Sequence, residues 1–152
     1  MKTLARTADL TEIVGRLQRL RPDCAARWGR LSVHQMICHQ SDACRMAMGE
    51  TPVTPASGLL RRTLWKWVAL YLPLPWPQGI PTVREIDQRA GGSAPREFAA
   101  DLAELTALVE RLADSEHRVD WPPHPIFGRL SRRAWLRWGY RHADHHLRQF
   151  GC

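Results

Sequence analysis

The chain has 152 residues, with 22 Lys and Arg against 15 Asp and Glu, a formal charge of +7 before its seven histidines are counted. A chain of this length predicts one domain and can bury roughly 70% of the surface it exposes when unfolded, which is enough for a real core. Its 44% hydrophobic and 24% charged residues exclude a disordered chain, a collagenous one and a coiled-coil rod.

Taken in order, the opening Met1 to Arg6 has no continuous apolar stretch and soon meets Asp9, Glu12 and Arg16, so no signal peptide is expected. Leu10, Ile13, Val14, Leu17 and Leu20 repeat at helical spacing and predict a helix over 9–20. Arg21-Pro22-Asp23 marks a break. Ser32, followed three residues later by Gln35, has the form of a capping box and opens a second helix over 32–48. Gly49 is its natural stop, and Thr51-Pro52 opposes continuation.

Leu59, Leu60, Leu64, Trp67, Val68 and Tyr71 predict a shorter amphipathic helix over 58–72, after which Pro73, Pro75, Pro77 and Pro81 remove donors and fix φ. The apolar run from Trp65 to Trp76 is short, holds Lys66 and ends in prolines, so it is not expected to span a bilayer. Pro95 suits a first helical turn, and Phe98, Leu102, Leu105, Leu108, Val109 and Leu112 give a clean amphipathic helix over 94–114. Trp121 to Pro125 reads as extended, and Ser131 caps a last helix reaching about Phe150. No segment alternates with period two. The expectation is an all-α protein whose four main helices, at 9–20, 32–48, 94–114 and 131–150, form a bundle, with a helical, proline-rich insertion between the second and third.

Only Lys2 and Lys66 are lysines; the arginines run along the whole chain and are densest at Arg129, Arg132, Arg133, Arg137, Arg141 and Arg148. A nucleic-acid binder usually gathers its charge into a patch or tail, so these are expected on a solvated helix face, with no nucleic-acid partner. Cys24, Cys38, Cys44 and Cys152 form no CxxC pair, which fits a reduced, cytoplasmic setting.

The histidines carry the chemistry. At about 100° per residue, His142 and His146 lie roughly 40° apart on the last helix, with Trp135, Trp138 and Gln149 in the same sector. Arg133, Arg137, Arg141 and Arg148 fall outside it and are expected to face water. Two imidazoles at i and i+4 can direct nitrogens at one ion, and the same spacing also serves histidines that only hydrogen-bond inside a bundle. An apolar setting favours the ion, because unpaired rings are costly there. His145 could replace His146 as a ligand or support the ligands from behind.

On the second helix, His39 shares a face with Met36, Ala43 and Met46, whereas His34 lies about 140° away in the first turn. Ile37, Cys44 and Met48 make a second apolar side, so the inward choice of His39 is not unique. Met36 and Met46 read as core filler, and Cys38 points away from His39. His117 and His124 read as loop residues, with His124 also a candidate pocket residue.

Trp28 to Asp42 (WGRLSVHQMICHQSD), His124 to Gly128 (HPIFG) and His142 to Gly151 (HADHHLRQFG) resemble the DinB/YfiT-like superfamily. More narrowly, they resemble a small uncharacterised branch of it that ends in an HHLRQFG-type helix. The resemblance covers essentially the whole chain. It implies a four-helix bundle that commonly dimerises. It also implies a divalent metal held by one histidine of the second helix and the HxxxH pair of the last, which are His39, His142 and His146 in this chain. Superfamily members include bacillithiol transferases, mycothiol-dependent isomerases and proteins described as metal-dependent hydrolases. The segment 50–93 is not part of the minimal bundle.

Three neutral imidazoles would leave a coordination position open, as in catalytic rather than structural sites, and they suit zinc or nickel. Such an ion could acidify water for hydrolysis or hold a low-molecular-weight thiol for transfer to an electrophile. The expected function is therefore a metal-dependent enzyme, thiol S-transferase or hydrolase, acting on a small molecule. Met36, Trp135, Trp138 and Gln149 are the candidate pocket residues, and Trp65, Trp67, Tyr71 and Trp76 would cover the pocket or simply pack on the bundle. Asp144 projects away from the ligand face, so no general base is evident. The alternatives are a non-catalytic binding or stress-response module with a structural metal, and a peripheral membrane protein docking through Arg61 to Tyr71.

Overall fold

Ser32 starts the second helix as its spacing predicts, and it does so with both halves of the capping box. In the computed structural model, which describes residues 1–55, 66–114 and 120–151, the Ser32 side chain accepts from the Gln35 N–H at 3.1 Å while Gln35 Oε1 accepts from the Ser32 N–H at 2.9 Å. Four long helices follow from the apolar spacing: α1 (Thr7–Leu17), α2 (Val33–Ala47), α3 (Phe98–Ala113) and α4 (Arg132–Gln149). Gly49 at φ +76 ends α2, with its own N–H on the Met46 carbonyl and the Glu50 N–H on the Arg45 carbonyl, the paired bonds of a Schellman stop. Ser131 caps α4 through the Ala134 N–H.

α1 packs on α3 and α4, and α2 packs on the same two helices, so α1 and α2 take opposite corners of the bundle. Ile13 and Leu17 of α1, Met36 and Ile37 of α2, Leu105 and Leu112 of α3, and Trp135, Leu136 and Leu147 of α4 meet between them. Each such side chain contributes about 1.5–3 kcal/mol on full burial. The protein is all-α: no strand occurs among the described residues, and the loop before α4 holds only an isolated bridge between His124 and Gly128.

Two boundaries move. α1 starts at Thr7 and is followed by single turns to the buried Leu20. α3 starts at Phe98 rather than near residue 94, because the Glu97 carboxylate accepts from the Ala99 and Ala100 N–H groups and sets the cap there. Of the helix expected over 58–72, residues 66–71 are helical; Leu59, Leu60, Leu64 and Trp65 lie outside the described residues. No helix among the described residues is long and apolar enough to cross a membrane.

The connection from α2 to α3 is fastened at two places. The buried Asp42 on α2 accepts from Ser93 N–H (2.8 Å), Ser93 Oγ (2.6 Å) and Gln88 Nε2 (2.6 Å), which lays a 3-10 turn, Arg84–Ile86, against α2. On α4, Arg141 donates to the carbonyls of Leu72 and Leu74.

This second fastening corrects the view that the arginines of α4 all face water. Arg137 is only 6% exposed, its guanidinium 4.6 Å from the Tyr71 ring, and Arg141 is half-buried. Helical angle placed both opposite the histidines, and that is where the connection lands; Arg133 and Arg148 remain exposed.

Candidate metal centre

α2 and α4 cross so that His39 faces His142 and His146. The Nε2 atoms of His39 and His142 are 3.2 Å apart, and one ligand nitrogen from each of the three rings lies within 4.8 Å of the other two. Zn–N bonds of 2.0–2.1 Å in a tetrahedron put ligand nitrogens about 3.3 Å apart, so the donor set fits a divalent ion with little movement. His39 is 4% exposed; His142 and His146 are partly buried.

Hydrogen bonds behind the rings decide which nitrogens are free. His39 Nδ1 lies 2.7 Å from the Ile86 carbonyl, which can only accept, so Nδ1 carries the proton and Nε2 keeps its lone pair. The same logic runs through Gln149. Its Nε2 donates to the Trp28 carbonyl at 2.7 Å, which turns Oε1 toward His146 Nδ1 at 2.9 Å. His146 Nδ1 must then donate, and His146 Nε2 is bare. Carbonyl partners of this kind orient metal-binding imidazoles and raise their basicity. Burial holds all three rings below the usual histidine pKa; His142 and His146 lie well below it, because at those two the neighbouring histidines add to the effect. Neutral imidazoles are the ligating form.

Gly29 belongs to this arrangement. It has φ +84, and a Cβ there would stand 2.5 Å from Gln149 Nε2, so only glycine lets the Trp28 carbonyl approach the amide.

The three histidines open into a cavity of 440 Å3. Of the predicted pocket residues, Trp138 and Gln149 line it; Met36 and Trp135 do not, being wholly buried in the core. Helical angle alone could not separate the two depths. Trp138 stacks on His142, centroids 4.8 Å apart and planes at 12°. Trp76 stands against His142 and His145 at 6.2 and 6.0 Å, held by a 2.8 Å bond from its Nε1 to the Ala69 carbonyl. Of the aromatics expected over the pocket it is the one on the wall among the described residues: Trp67 is exposed and Tyr71 lies under Arg137. His145 lines the cavity between Trp28 and Trp76, its pKa lowered by burial. Asp144 points elsewhere, paired with Arg16 at 2.7 Å and Arg148 at 2.9 Å.

Sequence reading missed the carbonyls of Ile86 and Trp28, because backbone atoms leave no residue signature. It undervalued His124, which is 4% exposed and lines the cavity. It also missed a second cluster of His34, Cys38 and Asp101. That cluster is already balanced: Asp101 accepts from His34 at 2.8 Å and from the Arg96 guanidinium at 3.0 Å, and burial pushes the Cys38 thiol up to about 11. His117 and Cys152 lie outside the described residues.

The family model described as "Protein of unknown function (DUF1569)" matches residues 2–151, and the chain belongs to that family. Comparison with curated proteins and with solved structures finds no match.

Proposed function

We propose that this DUF1569 family member is a metal-dependent protein of the DinB-like superfamily, in which His39, His142 and His146 hold a divalent ion at the wall of a small-molecule cavity. The observation that carries this is the convergence of three neutral imidazoles, two of them with Nδ1 committed to an acceptor and Nε2 free. Zinc and nickel suit such ligands. Bound there, the ion would supply Lewis acidity at an open position, bringing a water or a thiol toward deprotonation near neutral pH.

The chain's own residues do the rest. Ile86 and Gln149 hold the imidazoles in the ligating tautomer. The apolar wall of Trp76, Trp138, Ile80 and Val83 excludes water and takes the substrate body. His145 stands beside His146 on the same wall, as a supporting or alternative ligand. On this reading the chemistry is thiol transfer or hydrolysis on a small molecule. Asp144 is spent on arginines, which leaves a non-catalytic metal-binding module as the second reading.

Metal content of the purified protein, read by mass spectrometry, should approach one ion per chain and fall away in His39→Ala and His146→Ala. Full occupancy in the double variant overturns the site. Incubating the loaded protein with glutathione, bacillithiol or mycothiol and a reactive electrophile then separates transfer from binding alone.

A further inference from the structure

His124 opens the loop that leads into α4. The loop is closed by reciprocal backbone bonds between His124 and Gly128, both 2.8 Å. His124 Nδ1 lies 3.1 Å from the Ile126 nitrogen and 3.2 Å from the Phe127 nitrogen, and accepts from both N–H groups. An accepting Nδ1 places the ring proton on Nε2. That Nε2 is buried and has no hydrogen-bond partner among the described residues. A buried N–H left without an acceptor costs about 1–3 kcal/mol, and native proteins seldom leave one so.

The ring is on the wall of the cavity that holds the three histidines. One indole separates the two: Trp138 meets His124 edge-on at 5.2 Å and stacks on His142 at 4.8 Å. Trp135 Nε1, on a ring in the core 5.1 Å from His124, is a second buried donor without a partner among the described residues. This end of the cavity therefore holds a donor, His124 Nε2–H, that has no acceptor among the described residues. Burial holds the His124 pKa down at about 3, so the donor stays uncharged.

We propose that His124 is the second anchor of the cavity: its Nε2–H donates to a carbonyl or carboxylate oxygen of a largely apolar, flat small molecule whose metal-binding group lies against His39, His142 and His146. The inference rests on the metal reading above and adds the ligand class. The wall near His124 is Pro125, Ile126, Phe127 and Trp138, which recognises an apolar ring, while the donor fixes its orientation.

His124→Asn is the discriminating variant. The Asn oxygen takes the place of Nδ1 and still accepts from the loop N–H groups, while the Nε2–H is lost. Zinc binding is measured first, then binding of benzohydroxamate and its meta- and para-acetyl derivatives to the zinc-loaded protein. In the unaltered protein, at least one acetyl derivative should bind about tenfold more tightly than the parent. The gain should vanish in His124→Asn, with zinc and parent affinities within about twofold of the original. By NMR, the His124 Nε2–H proton should shift with the acetyl compound and not with the parent. The same gain in the variant, or no gain with any acetyl compound in the unaltered protein, overturns the role of His124. Failure of the unaltered protein to bind zinc overturns the metal reading itself, and this inference with it.

Discussion

Gln149 makes no contact with any ion in the proposed site, yet it should govern affinity. Its side chain is almost fully buried, donating to the Trp28 carbonyl at 2.7 Å and accepting from His146 Nδ1 at 2.9 Å. Gln149→Leu keeps the volume and removes both bonds. His146 is then free to carry its proton on Nε2, the nitrogen needed for ligation, and the ring loses its fixed orientation. Loss of such a partner typically weakens metal binding 10–100-fold, or ~1.4–2.7 kcal/mol. The stranded Trp28 carbonyl should lower the stability of the metal-free protein by about 1–3 kcal/mol. Zinc affinity, read by competition with a chelating dye at pH 7.5, and the urea midpoint of the metal-free protein separate the two effects. Zinc affinity within about twofold of the original, alongside a lowered midpoint, would refute tautomer control and leave Gln149 a packing residue.

Three further outcomes follow from the same geometry. Gly29→Ala should weaken both stability and zinc affinity, since φ +84 is strained for alanine and its Cβ meets the Gln149 amide at 2.5 Å; the same two assays check it, at about 1–3 kcal/mol of stability. For His124, burial lowers the folded-state pKa to about 3 while the unfolded chain keeps about 6.5, so below pH 6.5 the unfolded chain binds the proton first. Stability is lost as pH falls from 6.5 toward 3 and is unaffected above; urea melts between pH 8 and pH 5 should show His124→Asn losing about 2 kcal/mol less than the unaltered protein. Arg137, 6% exposed and supported by the Tyr71 ring alone among the described residues, should be replaceable. Arg137→Met is expected to keep or raise the thermal midpoint, because burying the charge costs more than about 0.5–2 kcal/mol of cation–π attraction returns, and a marked drop would reverse that ordering.

Local rules determined much of this molecule. Ser32 with Gln35, Gly49 and Ser131 mark helix ends by chemistry that involves only neighbouring residues, and the apolar period of α1, α2, α3 and α4 names the faces that must be buried. The i, i+4 spacing of His142 and His146 is likewise a property of one helix. Tertiary structure decided which residues of α2 those histidines meet, because two apolar faces competed and only the crossing of α2 with α4 selects His39. It decided that Ile86 and Trp28 support the site through carbonyls, which every residue possesses and no pattern distinguishes. It also decided that Arg137 is covered and that His124, whose loop gave no periodic signal, is buried. The seven histidines and the charge of +7 were visible from the start; which rings converge and which arginines are covered depended on where a long, proline-rich connection came to rest on the bundle.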